Sequence, residues 1–524
     1  MTVREVTHRL MRDLGMTTVF GNPGSTELRF LADWPSDFHY VMALHESGAV
    51  AMADCYAQIT GRPAFVNVHS AGGLGNAMGA LFTAFRNNAP LVVVAGQQTR
   101  AMLPSEPFLF ATSAATMPQP YVKWSIEPAR PQDVPAAIAR AHAIATARPM
   151  GPAFVSVPED DWSAETSAVM PRQVRTEIVA DRAALDEVRA AIEGARNPAI
   201  VAGAGLDPDG ASDLAVQLAD CMDARVWASA LTGRCGFPED HFRFAGALPR
   251  SRAAVVETLR NRDLVLVLGA PAFNYHVHTE GPFIADGTTV YQLTDDPSSA
   301  SSAVVGTSVI TTLRPALEYL LGSLPLRPAH SRPAHIRPVV APSDPIAVAY
   351  LLDTLRRVMP DDAILVEEAP SVHSVLHDCG LLRPGRFFTC ASGSLGYGLP
   401  AAIGAALAAP GRPIVALIGD GSSYYGIQAL WNAAHERLPV VFAIVNNGGY
   451  GAMKSFGAML AGGAPTPSFD IGGIDVVEVA RGFGVPGTRV ARAAELETAL
   501  REAFAAHAPR LVDVAIDTAA QGIR

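Results

Sequence analysis

Lysine is nearly missing from this chain. Of 40 basic residues only Lys123 and Lys454 are lysines, and every other positive side chain is arginine. Neither follows a glycine as the G-x-x-x-x-G-K-[ST] loop requires, which excludes a Walker-type phosphate site. A lysine Schiff base would have just two candidates. Cysteine is sparse too. Cys55, Cys221, Cys235, Cys379 and Cys390 form no C-x-x-C pair and no zinc spacing, a set suited to a reducing compartment. No run approaches the ~18 apolar residues that cross a bilayer. Met1–Gly15 carries Val3, Val6, Leu10 and Leu14 at helical spacing instead of a signal-peptide core. The expectation is a cytoplasmic protein. Charged residues are only 17% of the chain and sum to −10, which argues against general binding to nucleic acid or anionic membranes.

What is present is apolar material: 49% of 524 residues, enough for large cores and, by length, roughly three domains. The proline-rich stretch 323–346 reads as an extended linker. A weaker joint lies near Met170–Thr176, which divides the chain into 1–172, 173–325 and 345–524. Each segment alternates short β-rich runs with helical patterns, so the expected fold is α/β, with parallel sheets flanked by helices. Ala64–Val68, a helix through Met78, Leu81 and Phe85, and the strand from Leu91 form one βαβ unit. Ile414–Ile418, a helix through Ile427, Leu430 and Trp431, and the strand Val440–Val445 form another of nearly equal length. That match predicts similar folds for the first and third domains. In the middle segment Gly203-Ala204-Gly205 starts like a dinucleotide fingerprint, but Pro208 stands where its third glycine belongs. A structural role is expected there.

The strongest local signal runs from Gly419-Asp420-Gly421-Ser422 to Asn446-Asn447-Gly448. Asp420 ends a strand and opens a helix, where backbone N–H groups attract phosphate. Asn447 ends the neighbouring strand, and a carboxylate with an amide oxygen suits Mg²⁺ or Ca²⁺. A lone Gly-Asp-Gly is a turn with an N-cap; the asparagine pair at this spacing favours a phosphate-and-metal site.

With these residues the chain resembles the thiamine-diphosphate-dependent 2-oxo acid decarboxylases over nearly its whole length. The carrying stretches are GNPGSTE at 21–27, ALHESGAV at 43–50, VNVHSAGGLGNAMGAL at 66–81, GAPAFNYH at 269–276, CASGSLGYGLPAAIGA at 390–405 and NNGGYGAMKSF at 446–456. The resemblance implies thiamine diphosphate with Mg²⁺ or Ca²⁺ as cofactors. It gives Glu46 the hydrogen bond to the cofactor pyrimidine, and Gly393 and Leu395 its bent conformation. Asp420, Asn447 and the Gly449 carbonyl would hold the metal. Gly419, Gly421, Ser422, Ser371 and Tyr450 would surround the diphosphate, with Asn22, Pro23 and Gly24 facing the cofactor from the opposite domain. Ser25 would receive the substrate carboxylate, and His69 and His276 would move protons, as a pKa near neutrality allows. His45 and His278 read as packing or surface residues.

Ser25, His69 and His276 together narrow the resemblance to the members acting on benzoylformate. The implied reaction is non-oxidative decarboxylation of an aromatic 2-oxo acid, benzoylformate to benzaldehyde and CO₂, by a homo-oligomer, a dimer or a dimer of dimers. The pocket departs from that pattern. Thr389 stands in place of a phenylalanine, Phe108 in place of a leucine and Pro370 in place of a threonine, while Phe456 keeps an aromatic wall. The preference could therefore have moved to other aryl or bulky alkyl acids. Two alternatives stay open: a carboligase of the acetolactate synthase type, and a nucleotide-binding regulatory module without chemistry.

Overall fold

The computed structural model describes residues 1–322, 324, 340–462, 464 and 467–517. Most of the expected proline-rich linker falls outside them. The chain builds three six-stranded sheets in which every strand pair is parallel. The first contains β1 (Thr18–Asn22), β2 (His39–Met42), β3 (Ala64–Val68), β4 (Leu91–Gln97), β5 (Ser125–Ile126) and β6 (Ala153–Pro158). The second contains β7 (Ala199–Ala202), β8 (Arg225–Ala228), β9 (Phe244–Ala247), β10 (Leu264–Leu268), β11 (Thr289–Thr294) and β12 (Thr307–Ile310). The third contains β13 (Ile364–Glu368), β14 (Phe387–Thr389), β15 (Ile414–Gly419), β16 (Val440–Asn446), β17 (Gly487–Val490) and β18 (Arg510–Ala515).

The first sheet runs β2-β1-β3-β4-β6-β5 and the third β14-β13-β15-β16-β18-β17. Counted from its own first strand, each reads 2-1-3-4-6-5, so the outer domains share one fold, as their matched βαβ units predict. Their central strands are buried along their full length, as parallel strands covered on both faces must be. The middle sheet runs β12-β11-β10-β7-β8-β9, which is 6-5-4-1-2-3 by the same count. That is the strand order of dinucleotide-binding folds. Its glycines serve packing: a Cβ on Gly203 would lie 2.3 Å from the Gly269 carbonyl oxygen, so Gly203 allows the ends of β7 and β10 to approach.

The outer domains pack on each other through two helices, Glu46–Thr60 and Gly398–Ala408, whose buried faces join one continuous core. Both are rich in alanine and glycine. A Cβ on Gly404 would sit 2.0 Å from the Met52 carbonyl oxygen, so this helix pair needs glycine at that position. Parallel sheets bring loops to the carboxyl ends of their strands, where ligands bind. The candidate site residues of the outer domains lie on these loops or at the strand and helix ends beside them, apart from Phe456, which lies inside the helix Gly451–Leu460.

Candidate active site

In the third domain, β15 ends at Gly419 and Asp420 starts a short helical turn. Beside it β16 ends at Asn446 and the chain turns through Gly448, whose φ of 72° suits glycine. Asp420 is buried. Burial pushes its carboxyl above the usual carboxylate range, against the pull of the backbone amides of Gly421, Asn447 and Gly449. It makes no ion pair among the described residues. Asn447 Oδ1 accepts from the Gly449 amide at 3.3 Å. The Tyr450 ring closes over Gly421, where a Cβ would lie 2.8 Å from it. The three expected metal donors therefore sit on one compact double turn.

That turn forms part of a cavity of about 470 Å³ between the middle and third domains. Gly419, Asp420, Gly421, Ser422, Gly449, Tyr450 and Ser371 line it, and so do Gly393, Leu395, Thr389, Phe456 and His276. Asn447 does not line it. The Gly393–Leu395 loop is fixed from below by Glu368, whose two oxygens accept from the Gly396 and Gly398 amides at 2.6 Å each. Burial nevertheless pushes that carboxyl up to about 8. His276 comes from the loop after β10, and its amide donates to the Arg250 carbonyl at 2.8 Å. Its ring meets Phe456 edge-on, with centroids 4.6 Å apart.

The first-domain residues form a second cluster at the ends of β1 and β3. Asn22 closes β1, Pro23 and Gly24 follow, and Ser25 opens a 3-10 turn with its side chain exposed. The His69 ring lies against Gly24, where a Cβ would be 2.3 Å from Nδ1. Glu46, the first residue of its helix, is only 7% exposed. Its Oε2 accepts from Asn76 Nδ2 at 3.0 Å, which leaves Oε1 as the oxygen available to a ligand. His45 caps that helix through the Ser47 amide, and His278 is a surface residue beside Glu280, so both have the modest roles expected of them.

None of Asn22, Pro23, Gly24, Ser25, Glu46 and His69 lines the large cavity within one chain. Phe108, read as a pocket residue, is 88% exposed and does not line it either.

Motif reading missed the side chains that hold the expected ones. Glu27 is buried and binds the Gly24 amide at 2.8 Å and the Gly96 amide at 2.9 Å, while His69 Nδ1 donates to it at 2.9 Å. This hydrogen bond raises the His69 pKa, against the opposing effect of burial. Its position inside GNPGSTE was the available signal. Glu367, His373 and Arg250 also line or border the cavity without belonging to any quoted motif.

Three family models match the chain: the N-terminal TPP binding domain of thiamine pyrophosphate enzymes over residues 1–117, their central domain over 185–320, and their C-terminal TPP binding domain over 372–514. The chain is 42% identical to benzoylformate decarboxylase of Pseudomonas aeruginosa, with 99% of each chain covered. Among solved structures it is similar to a thiamine diphosphate-dependent 4-hydroxybenzoylformate decarboxylase of Rhodococcus jostii RHA1. The TM-score is 0.96 and the identity 41%, with 99% of this chain and 100% of that one covered. It is equally similar in shape to benzoylformate decarboxylase of Polynucleobacter necessarius, with a TM-score of 0.96, 39% identity and 99% of each chain covered.

Proposed function

Because this chain belongs to the thiamine pyrophosphate enzymes, we propose that it decarboxylates an aromatic 2-oxo acid without oxidation, benzoylformate to benzaldehyde and CO₂. One observation carries the reading: His276 and the aromatic Phe456 face each other in the cavity that also holds the Asp420 turn. A proton carrier, an aryl-sized wall and a phosphate-and-metal site share one space.

The residues present fit the cofactors. Asp420 is a buried carboxylate surrounded by amides, with no cationic partner among the described residues. Neither lysine can neutralise a diphosphate there. Lys123 donates to the Ile144 and Ala147 carbonyls, and Lys454 pairs with Asp470 at 2.5 Å. A divalent ion, Mg²⁺ or Ca²⁺, held by Asp420, Asn447 and the Gly449 carbonyl meets that need. Ser371, Ser422 and Tyr450 would receive the diphosphate, and Gly393 and Leu395 the bent middle of thiamine diphosphate. When bound, that cofactor supplies the carbon nucleophile and takes up the electron pair that the departing CO₂ leaves behind.

The chain's own groups do the rest. Glu46 offers Oε1 for the hydrogen bond to the cofactor pyrimidine. Ser25 donates its hydroxyl to the substrate carboxylate. His69, whose proton affinity the Glu27 hydrogen bond raises, and His276 deliver and remove protons at the carbon that has lost CO₂ and at its oxygen. Glu46, Ser25 and His69 lie outside the cavity of their own chain, so the complete site joins the first domain of one copy to the third domain of another. The smallest active unit is then a dimer. Exposed apolar side chains beside Glu46, Met42 and Leu44 among them, support a covered surface there.

The test is an assay of purified protein with thiamine diphosphate and Mg²⁺ against a panel of 2-oxo acids, measuring aldehyde and acyloin separately. Aldehyde from aryl acids is expected. Acyloin as the main product would favour the carboligase reading instead.

A further inference from the structure

The loop from Cys390 to Leu395 lines the cavity, yet much of what holds it comes from outside its own domain. Glu368 fixes its far end, at Gly396 and Gly398. At its near end the Thr389 amide donates to the Gly233 carbonyl of the middle domain at 3.0 Å. Between these points the first domain of the same chain supplies the contacts, through the helix Ser70–Arg86 and its cap Asn87. Thr83, buried in the last turn of that helix, has its hydroxyl 2.8 Å from that of Ser392. Asn87 Oδ1 accepts from the Ala391 amide at 3.1 Å, and its Nδ2 donates to Asp54 at 3.0 Å.

The chemistry of the partners fixes the direction of each bond. A backbone amide only donates, so the Asn87 oxygen must face Ala391 and its NH₂ must face Asp54. Asp54 is fully buried, and its other oxygen accepts from Gln58 Nε2 at 2.6 Å. The Gly79 carbonyl only accepts, so Thr83 donates there, at 3.2 Å, and accepts from Ser392. Ser392 Oγ in turn accepts from the Ser394 amide at 3.0 Å, and the Cys390 thiol donates to the Ser394 carbonyl at 3.0 Å. These bonds close around Gly393, whose φ of 74° is left-handed and where a Cβ would meet nothing within 4 Å. A glycine has no side chain to anchor it, so the bonds on either side set where its carbonyl points. We infer that Thr83 and Asn87 are positioning residues for the bent cofactor: from the first domain they set the Ala391–Leu395 backbone that receives the middle of thiamine diphosphate. This rests on the cofactor placement proposed above. Neither side chain lines the cavity. The diphosphate end is assigned to the Asp420 turn, outside this network, so the two ends of the cofactor can be tested apart.

The test titrates the cofactor-free full chain, in Mg²⁺, with thiamine diphosphate and separately with inorganic diphosphate, by calorimetry. Thr83→Val should weaken thiamine diphosphate about ten-fold, the worth of a hydrogen bond whose loss leaves a buried partner unsatisfied. Inorganic diphosphate should bind as before. Asn87→Ala should show the same selectivity. Thr83→Ser keeps the hydroxyl and should bind both ligands as the parent does. Ser392→Ala cuts the same bond from the loop side, so the pair Thr83→Val with Ser392→Ala should be no weaker than the worse single variant. Each protein is its own reference, because a chain that is merely destabilised loses both ligands alike. Equal loss of both ligands, or loss of neither, would overturn the positioning role and leave the decarboxylation standing. So would a Thr83→Ser variant as weak as Thr83→Val, or a fully additive pair. A parent that does not bind thiamine diphosphate would overturn the cofactor reading itself, and this inference with it.

Discussion

Glu46 and His69 show how a single neighbour sets what a side chain proposed for catalysis can do. Asn76 takes one oxygen of Glu46, so the other is aimed by default. Glu46→Gln keeps the shape and loses the carboxylate. We expect cofactor binding by titration calorimetry to persist while turnover falls by roughly 10²–10⁴-fold, the usual worth of a positioned acid or base. For His69 the controlling neighbour is Glu27. A carboxylate hydrogen-bonded to a histidine favours the charged ring, so the folded pKa is raised and the proton is kept to higher pH. The acid form is complete below the ordinary histidine value and is lost as pH rises through the raised one. Glu27→Gln removes that support, so the alkaline limb of the kcat/KM profile should move to lower pH. An unmoved limb would mean that His69 does not donate the proton that limits the rate.

Elements explain what could and could not be read from the chain beforehand. The paired βαβ units and the Gly-Asp-Gly to Asn-Asn spacing are local patterns, and they led to the outer domains' common strand order and the Asp420 turn. Glu27, Glu367 and Arg250 escaped notice because the partners they meet lie far away in sequence. Thr389 reaches Glu367 across β14 and β13, and Arg250 meets His276 through a backbone contact between loops. Composition also hid the helix pair Glu46–Thr60 and Gly398–Ala408, whose alanines and glycines look unremarkable until the helices touch. At Gly404 the touching atom is backbone, the Met52 carbonyl oxygen, which cannot rotate away. Gly404→Ala should therefore force the helices apart and cost about 1–3 kcal/mol, the range for overpacking. Thermal unfolding would read this as a lowered Tm. A Tm equal to the parent's would show that the two domains adjust without strain.

At the scale of the whole molecule, two half-sites on one chain pose a geometric question. The Asp420 turn, Leu395 and His276 share a cavity, whereas Glu46, Ser25 and His69 lie apart from it. The closed two-fold pairing we propose would resolve this, because an isologous interface would bring each chain's first half-site to the other chain's second and make two equal sites. The arrangement has a consequence that no monomeric site shares. A Glu46→Gln chain lacks the first half and an Asp420→Ala chain lacks the second, so neither homodimer is active. In a mixed dimer both lesions fall into one site, and the other site is wholly parental. Random pairing makes half the dimers mixed, each with one of two sites intact, so co-expression of the two variants should restore about a quarter of the parental rate. Each variant alone should stay near background at the same total concentration. If each chain instead completed its own site, the mixture would show no more activity than the two variants measured separately, and the shared-site arrangement would be wrong.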